Sequence, residues 1–271
     1  MEGMGAGVEV EGNSMEQHMS LGANESNKQF HIALSPEHAG EYAILPGDPG
    51  RVEEIARRLK KPVFVSENRE YKTYVGELAG KRVCVTSTGI GGPSAAIAIE
   101  ELVKCGVHTF IRIGTCGGMQ PYVLPGDIVI ATAAIRAEGT SREYLPDGYP
   151  ACADPDVIAA LRNYAEKSGQ RCHAGIVHSK DSFYGQTEPD TMPTAERLKE
   201  CWEMYIRAGC LASEMEAAAL FSVGQVRRVR VGAVLTVIWN PELQKTGADR
   251  TEHHSNDSAI SCALGAIEML M

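Results

Sequence analysis

The sequence predicts an α/β fold: one domain in which a central sheet is covered by helices on both faces. Short β-branched runs alternate with helical patterns from Phe30 onward, the pattern of a sheet flanked by helices. The 271 residues are 44 % hydrophobic and 23 % charged, enough for one large α/β core or two small domains. Neither an internal repeat nor a linker follows residue 30, so 30–271 reads as a single domain.

Residues 1–29 stand apart. They hold no Phe, Trp or Tyr, and Lys28 is their one Lys or Arg. Such a segment buries too little apolar area to offset its ordering entropy, and it is expected to be a disordered leader. Strands are then expected at Tyr42–Leu45, Val83–Ser87, Thr109–Ile113, Ile128–Ile135, Cys172–His178 and Val229–Ile238. Helices are expected at Val52–Lys60, Ser94–Lys104, Asp156–Lys167, Ala195–Ala208, Glu214–Val223 and Ser258–Met271. Gly185–Pro193 is polar and rich in Gly and Pro, a loop and a candidate site rim.

Composition excludes several function classes. Lys+Arg is 26 against Asp+Glu at 35, net −9, whereas a phosphate-backbone binder wants a basic face. Aromatic residues are 6 %, few for a base-stacking platform. No apolar run approaches the ~20 residues of a membrane span, and no charged-then-apolar start marks a secretory signal. The eight cysteines show no C-x2-C spacing and no zinc-finger pairing. A reducing, cytoplasmic compartment is expected.

Four segments carry candidate chemistry. In Gly47-Asp48-Pro49-Gly50-Arg51, Asp48 suits a helix N-cap and Pro49 the first turn. Arg51 then stands beside helix-start N–H groups as an anion site, or is a surface Arg on a plain turn. Ser87-Thr88-Gly89-Ile90-Gly91-Gly92-Pro93-Ser94 permits close backbone approach to a ligand. It matches neither nucleotide-binding glycine motif, and a tight packing turn explains it equally well. Arg112 lies between Ile111 and Ile113 in an apolar strand. Such a charge needs an internal carboxylate or a bound anion, and the glycines after it favour an open pocket at the strand's C-terminal end. Glu214 and Glu216 cannot share a helix face. One caps the helix while the other enters a cleft to grip a hydroxyl pair, or both are ordinary helix-start acids.

GDPGR, NREY, STGIGGPS, RIGTCGG, LPGDIV, KDSFYGQ and SEMEAAAL occur in this order. Together they resemble the nucleoside phosphorylase family of the uridine and purine type, from about Phe30 to the C-terminus. The STGIGGPS, FYGQ and REY wording is most like its uridine-cleaving branch. The resemblance implies one α/β domain with a mixed, barrel-like central sheet flanked by helices, and a site completed by a neighbouring subunit. It implies phosphate held by Gly47, Arg51, Arg112 and Thr115, with Arg69 reaching the neighbour's phosphate. His31 would cross the same interface to the ribose 5′-hydroxyl. Met215 and Glu216 would face the ribose, Glu216 accepting from the 2′- and 3′-hydroxyls. Cys116, Gly117, Phe183 and Gln186 would line the base pocket. Glu70, Ile90 and Ser94 match a cation site that some relatives place at the dimer interface.

The sequence also departs from the family. Bacterial relatives read Gln-x-Arg where this chain has Gln186-Thr187-Glu188. Their second base-side Arg is absent from Val237-Ile238-Trp239-Asn240. The purine branch places an Asp near that point, and no acid occurs between Val229 and Asn240. Lys180, Lys245 or water is left to assist the departing uracil, itself a fairly stable anion. The expected activity is phosphorolysis of uridine to uracil and ribose 1-phosphate. Phosphate is the co-substrate, and neither a protein nucleophile, a cofactor nor a metal is required. The alternatives are a purine nucleoside phosphorylase, a nucleosidase using water, and a nucleoside-binding relative with impaired catalysis. The expected partner is a second copy of the chain, as a homodimer or trimer of dimers, with no nucleic acid and no membrane.

Overall fold

The computed structural model describes residues 27–271. The leader expected over residues 1–29 falls, for 1–26, outside the described residues. Strand β1 (Tyr42–Pro46), helix α1 (Gly50–Ala56) and strands β2 (Lys60–Asn68), β3 (Tyr71–Leu78) and β4 (Lys81–Thr86) come first. Then follow α2 (Gly92–Lys104), β5 (Thr109–Gly118), β6 (Ile128–Ala137), α3 (Thr140–Tyr144), β7 (Ala151–Cys152) and α4 (Pro155–Lys167). The chain continues through β8 (Cys172–Lys180), α5 (Phe183–Thr187), a 3-10 turn (Pro189–Thr191), α6 (Ala195–Arg207) and β9 (Ala212–Glu214). It ends with α7 (Ala217–Arg227), β10 (Arg230–Trp239), α8 (Pro241–Lys245) and α9 (Asp257–Leu270).

All six expected strands are present. The hairpin β2–β3 was not expected, because its residues mix Lys, Glu and Asn with the apolar positions and only partly alternate. The helix expected over Val52–Lys60 stops at Ala56, and Lys60 already pairs with Glu77. The loop expected over Gly185–Pro193 is largely the end of α5 and the 3-10 turn. Ser182 Oγ accepts the Gly185 N–H at 2.9 Å and nucleates α5.

The sheet is mixed and partly closed. Strands β5, β10, β6, β8 and β9 form a ring, and β1, β4, β3 and β2 extend from it as an open wing. Both faces are covered. On β1, Ala43 and Leu45 pack into one core with Ile99, Leu102, Leu220 and Phe221 of α2 and α7. Tyr42 and Ile44 pack into another with Ile55, Leu161 and Ile260 of α1, α4 and α9. This is the period-2 alternation of a strand buried on both sides.

The site is set where ring and wing part. One edge of β5 pairs with β10 from Thr109 to Gly117, with a register shift between Val237 and Trp239 near the end. Its other edge pairs with β1 up to Ile113, then with β9 from Gly117. Residues Gly114–Cys116 lie in the gap between those two partners. Such a split at strand C-termini is where open α/β sheets place ligands.

Candidate active site

Arg112 lies on β5 just before the fork and is 4 % exposed. It sits on the Phe110 face of the strand, towards α7. One end of its guanidinium is held by carboxylates: Nη2 donates to Glu216 Oε2, and Nε lies 3.5 Å from Glu214 Oε2. Nη1 is buried with no hydrogen-bond partner among the described residues. It faces Gly47, where a Cβ would come 3.9 Å from Nη1 and 3.3 Å from the Gly89 carbonyl. The two glutamates divide the work. Glu214 accepts the N–H groups of Glu216 (2.8 Å) and Ala217 (2.9 Å), and the hydroxyl of Ser179. It is therefore the cap of α7, and burial pushes its carboxyl upward against the pull of Arg112. Glu216 instead reaches the fork, where it accepts the Gly91 N–H at 2.6 Å.

Arg51 stands in the first turn of α1, partly exposed, with Asp48 Oδ2 3.9 Å from Nε. Asp48 Oδ1 accepts the Gly50 N–H at 2.8 Å, and Pro49 is already helical at φ −56°. The chain after β1 and the chain after β4 are tied together: Thr88 N–H donates to Pro46 O and Gly89 N–H to Gly47 O, both at 2.9 Å. Thr115 and Met215 are half-buried at the fork. These contacts bring Gly47, Arg112, Glu216 and the Gly-rich turn into one cluster at the end of the sheet.

A cavity of about 850 Å³ opens beside the ring, lined by His178, Lys180, Gln186, Trp202, Tyr205 and Trp239 among others. Gln186 reaches towards β5: a Cβ on Gly117 would lie 3.9 Å from its Nε2. Cys116 is buried, its thiol on the Thr236 carbonyl at 3.6 Å, and burial pushes its pKa up. Ser213 Oγ donates to Gln186 Oε1 at 2.7 Å and accepts from Lys180 Nζ at 3.0 Å. His178 Nδ1 is 3.2 Å from the same hydroxyl. Burial, then the Lys180 charge, pushes His178 down to about 4, so its ring is neutral. Burial lowers the Lys180 pKa while Glu214 and Glu216 pull it back up. The sequence alone gives Ser213 and His178 no role, although Ser213 opens the SEMEAAAL segment. Phe183 is 54 % exposed, edge-on to Tyr184, and does not line the cavity. Lys245 is exposed and bound to Glu242 at 2.9 Å.

The remaining candidates lie around the β2–β3 hairpin and the start of α2. His31 Nδ1 is 2.6 Å from Glu101 Oε1, and Asn68 Nδ2 donates to the His31 carbonyl at 2.7 Å. Arg69 is exposed at the tip of the β2–β3 hairpin, in a left-handed conformation at φ +55°. Neither contacts Arg112, Glu216 or Gln186 among the described residues. Glu70 accepts from Ser94 Oγ at 2.6 Å, a bond that holds its carboxyl below the usual range. Ile90 is 79 % exposed nearby.

The model of the Phosphorylase superfamily matches residues 41–267. The chain belongs to that superfamily. Within it, the chain is similar to a uridine phosphorylase of Treponema pallidum, 51 % identical over 90 % of this chain and 94 % of that protein. It is also similar to a uridine phosphorylase of Escherichia coli, 38 % identical over 89 % and 98 % of the two chains. A guanosine phosphorylase of Halorubrum lacusprofundi is 41 % identical over 79 % and 84 %. The superfamily match spans β1 to α9 and so includes the fork, the Gly-rich turn and the cavity.

Proposed function

We propose that this chain is a uridine phosphorylase, a pentosyltransferase that cleaves uridine with inorganic phosphate into uracil and ribose 1-phosphate. The observation that carries the reading is the pairing of Arg112 with Glu216 at the fork. One buried guanidinium offers an unpartnered Nη1 to an anion and orients a carboxylate beside it. Uridine phosphorylases on both a spirochaete and an enterobacterial branch align over nearly the whole chain.

Phosphate sits against Arg112 Nη1, Gly47, Arg51 and Thr115. Each Glu216 oxygen keeps a lone pair for a ribose hydroxyl after accepting Gly91 and Arg112. A phosphate oxygen bonds C1′ as the C1′–N1 bond breaks. The electron pair leaves with uracil and spreads over its two carbonyls. The ribosyl charge that develops lies between phosphate and Glu216, so positioning and fixed charge supply the catalysis. His31 and Arg69, turned away from this cluster on the wing, complete the site of a second copy. Glu70 and Ser94 would hold a cation at that interface, with Ile90 beside them. The eight free cysteines fit a cytoplasmic enzyme; no helix of the described residues is long and apolar enough to cross a membrane.

A guanosine phosphorylase is the second reading. Guanine presents the same N–H and carbonyl edge as uracil, a cavity of about 850 Å³ is large for a single ring, and one similar relative carries that name. The test is base release from uridine, thymidine, cytidine, inosine and guanosine, with and without phosphate. Uridine turnover that depends on phosphate is expected. A purine nucleoside preferred, or turnover undiminished without phosphate, would overturn the reading.

A further inference from the structure

Gln186 carries an amide whose two ends are equal in shape and opposite in hydrogen-bonding sense. Unless something fixes the direction of that amide, it can meet the uracil edge or the cytosine edge by flipping. No arginine stands at Thr187, Glu188 or Ile238 to add a fixed donor. The contacts of Ser213 supply a direction instead.

The Ser213 hydroxyl has one proton and two lone pairs. Lys180 Nζ, 3.0 Å away, donates to it and so fills one lone pair. The remaining neighbours are Gln186 at 2.7 Å and His178 Nδ1 at 3.2 Å. The shorter distance is that of an O–H···O bond and the longer that of an N–H···O bond. Ser213 therefore gives its single proton to Gln186 Oε1, and the neutral His178 ring gives its Nδ1–H to the second lone pair. The hydroxyl then donates once and accepts twice, which uses its full capacity. Lys180 and Ser213 are 8 % and 2 % exposed, so both ends of this contact are held in the protein interior. Gln186 is left with Oε1 anchored on Ser213 and Nε2 on the Gly117 side of the pocket.

We propose that Lys180, acting through Ser213, is a positioning residue that fixes the direction of the Gln186 amide and thereby selects a base with a ring N–H beside a carbonyl over one with a bare ring nitrogen beside an amine. Gln186 Nε2 donates to the carbonyl, and the second lone pair of Oε1 accepts the ring N–H. Cytosine would need the amide reversed, which places an NH2 group against a hydroxyl whose proton already points at it. Lys180 contributes direction through two bonds and need not touch the base.

The inference rests on the proposed uridine site, and the test separates the two. Uracil and cytosine binding is measured by calorimetry in phosphate buffer for wild type, Lys180→Met and Ser213→Ala, alongside kcat and KM for uridine and phosphate. Wild type is expected to prefer uracil. Lys180→Met keeps the side-chain length and removes the donor. It should cut the uracil-to-cytosine preference by roughly tenfold or more, through uridine KM, with phosphate KM unchanged. Ser213→Ala should do the same, and the double variant should lose no more than either single, because the two act in one chain of bonds. A purely structural role would lower kcat for every substrate and leave the preference intact. If Lys180→Met does not fold, Ser213→Ala, which removes only a hydroxyl, decides. Wild type that prefers uracil with variants that keep the preference overturns the inference alone. Wild type that binds neither base overturns the uridine reading as well.

Discussion

Arg51 and Arg112 are both assigned to phosphate in the proposed function, but their surroundings make their substitutions differ. Arg51 is partly exposed, and its one ion-pair contact among the described residues, Asp48 at 3.9 Å, is of the kind worth about 0–1 kcal/mol. Arg51→Ala should therefore leave thermal stability nearly unchanged. It should lose one charge-assisted bond to phosphate, roughly 1.5–3 kcal/mol, or about 10- to 150-fold in kcat/KM for phosphate. Arg112 neutralises two buried carboxylates, Glu214 and Glu216. Arg112→Leu should show a comparable catalytic loss and in addition cost about 3–5 kcal/mol of stability, because two buried acids lose their counter-charge. Phosphate kinetics and urea unfolding of both variants check this. Unaltered phosphate KM in Arg51→Ala, or full stability in Arg112→Leu, would contradict the assignment.

Where β10 meets α8, Asn240 is spent on holding the backbone together. Asn240 is 1 % exposed and its amide is fully committed. Oδ1 caps α8 by accepting the Glu242 and Leu243 N–H groups at 2.9 and 3.0 Å. Nδ2 donates to the carbonyls of Gln120 and Val123 at 2.8 and 2.7 Å, tying the chain after β5 to the end of β10. Gly118 has to be glycine here, since a Cβ would sit 2.6 Å from Nδ2. Asn240→Asp keeps the cap but sets a carboxylate oxygen against two carbonyls. The expected loss is at least about 2 kcal/mol, read as a lower urea midpoint. A variant as stable as wild type would show that the amide donors contribute nothing.

At the scale of the whole molecule, Gly47, Arg112 and Glu216 meet at the fork, whereas His31, held by Glu101, and the exposed Arg69 make no contact with Arg112 or Glu216 among the described residues. With His31 and Arg69 assigned to a second copy, as proposed above, activity should depend on association. His31→Ala and Arg51→Ala, each impaired alone, should regain activity when refolded together, since some mixed dimers carry one site with both residues intact. Mixtures no more active than the average of the two, or full activity in a dilute monomer followed by light scattering, would refute the shared site.

The sequence by itself determined the α/β class, the six strands expected from it and the need of Arg112 for a buried partner. A charge between two isoleucines is costly enough to betray a partner, and apolar periodicity is a local signal. It offered Glu214 and Glu216 either as one cap and one cleft-facing acid or as two ordinary helix-start acids. It did not reveal the β2–β3 hairpin, because β2 is exposed along most of its length and so carries little apolar alternation. Only the tertiary structure decided which glutamate caps α7 and which enters the fork. The same holds for Ser213 meeting Gln186 and for Asn240 being spent on two carbonyls. Those outcomes depend on β9 pairing with β5 and β8, and on β10 closing against β5 and β6. These are contacts between segments far apart in sequence, and side-chain direction there follows from strand register, which no local pattern encodes.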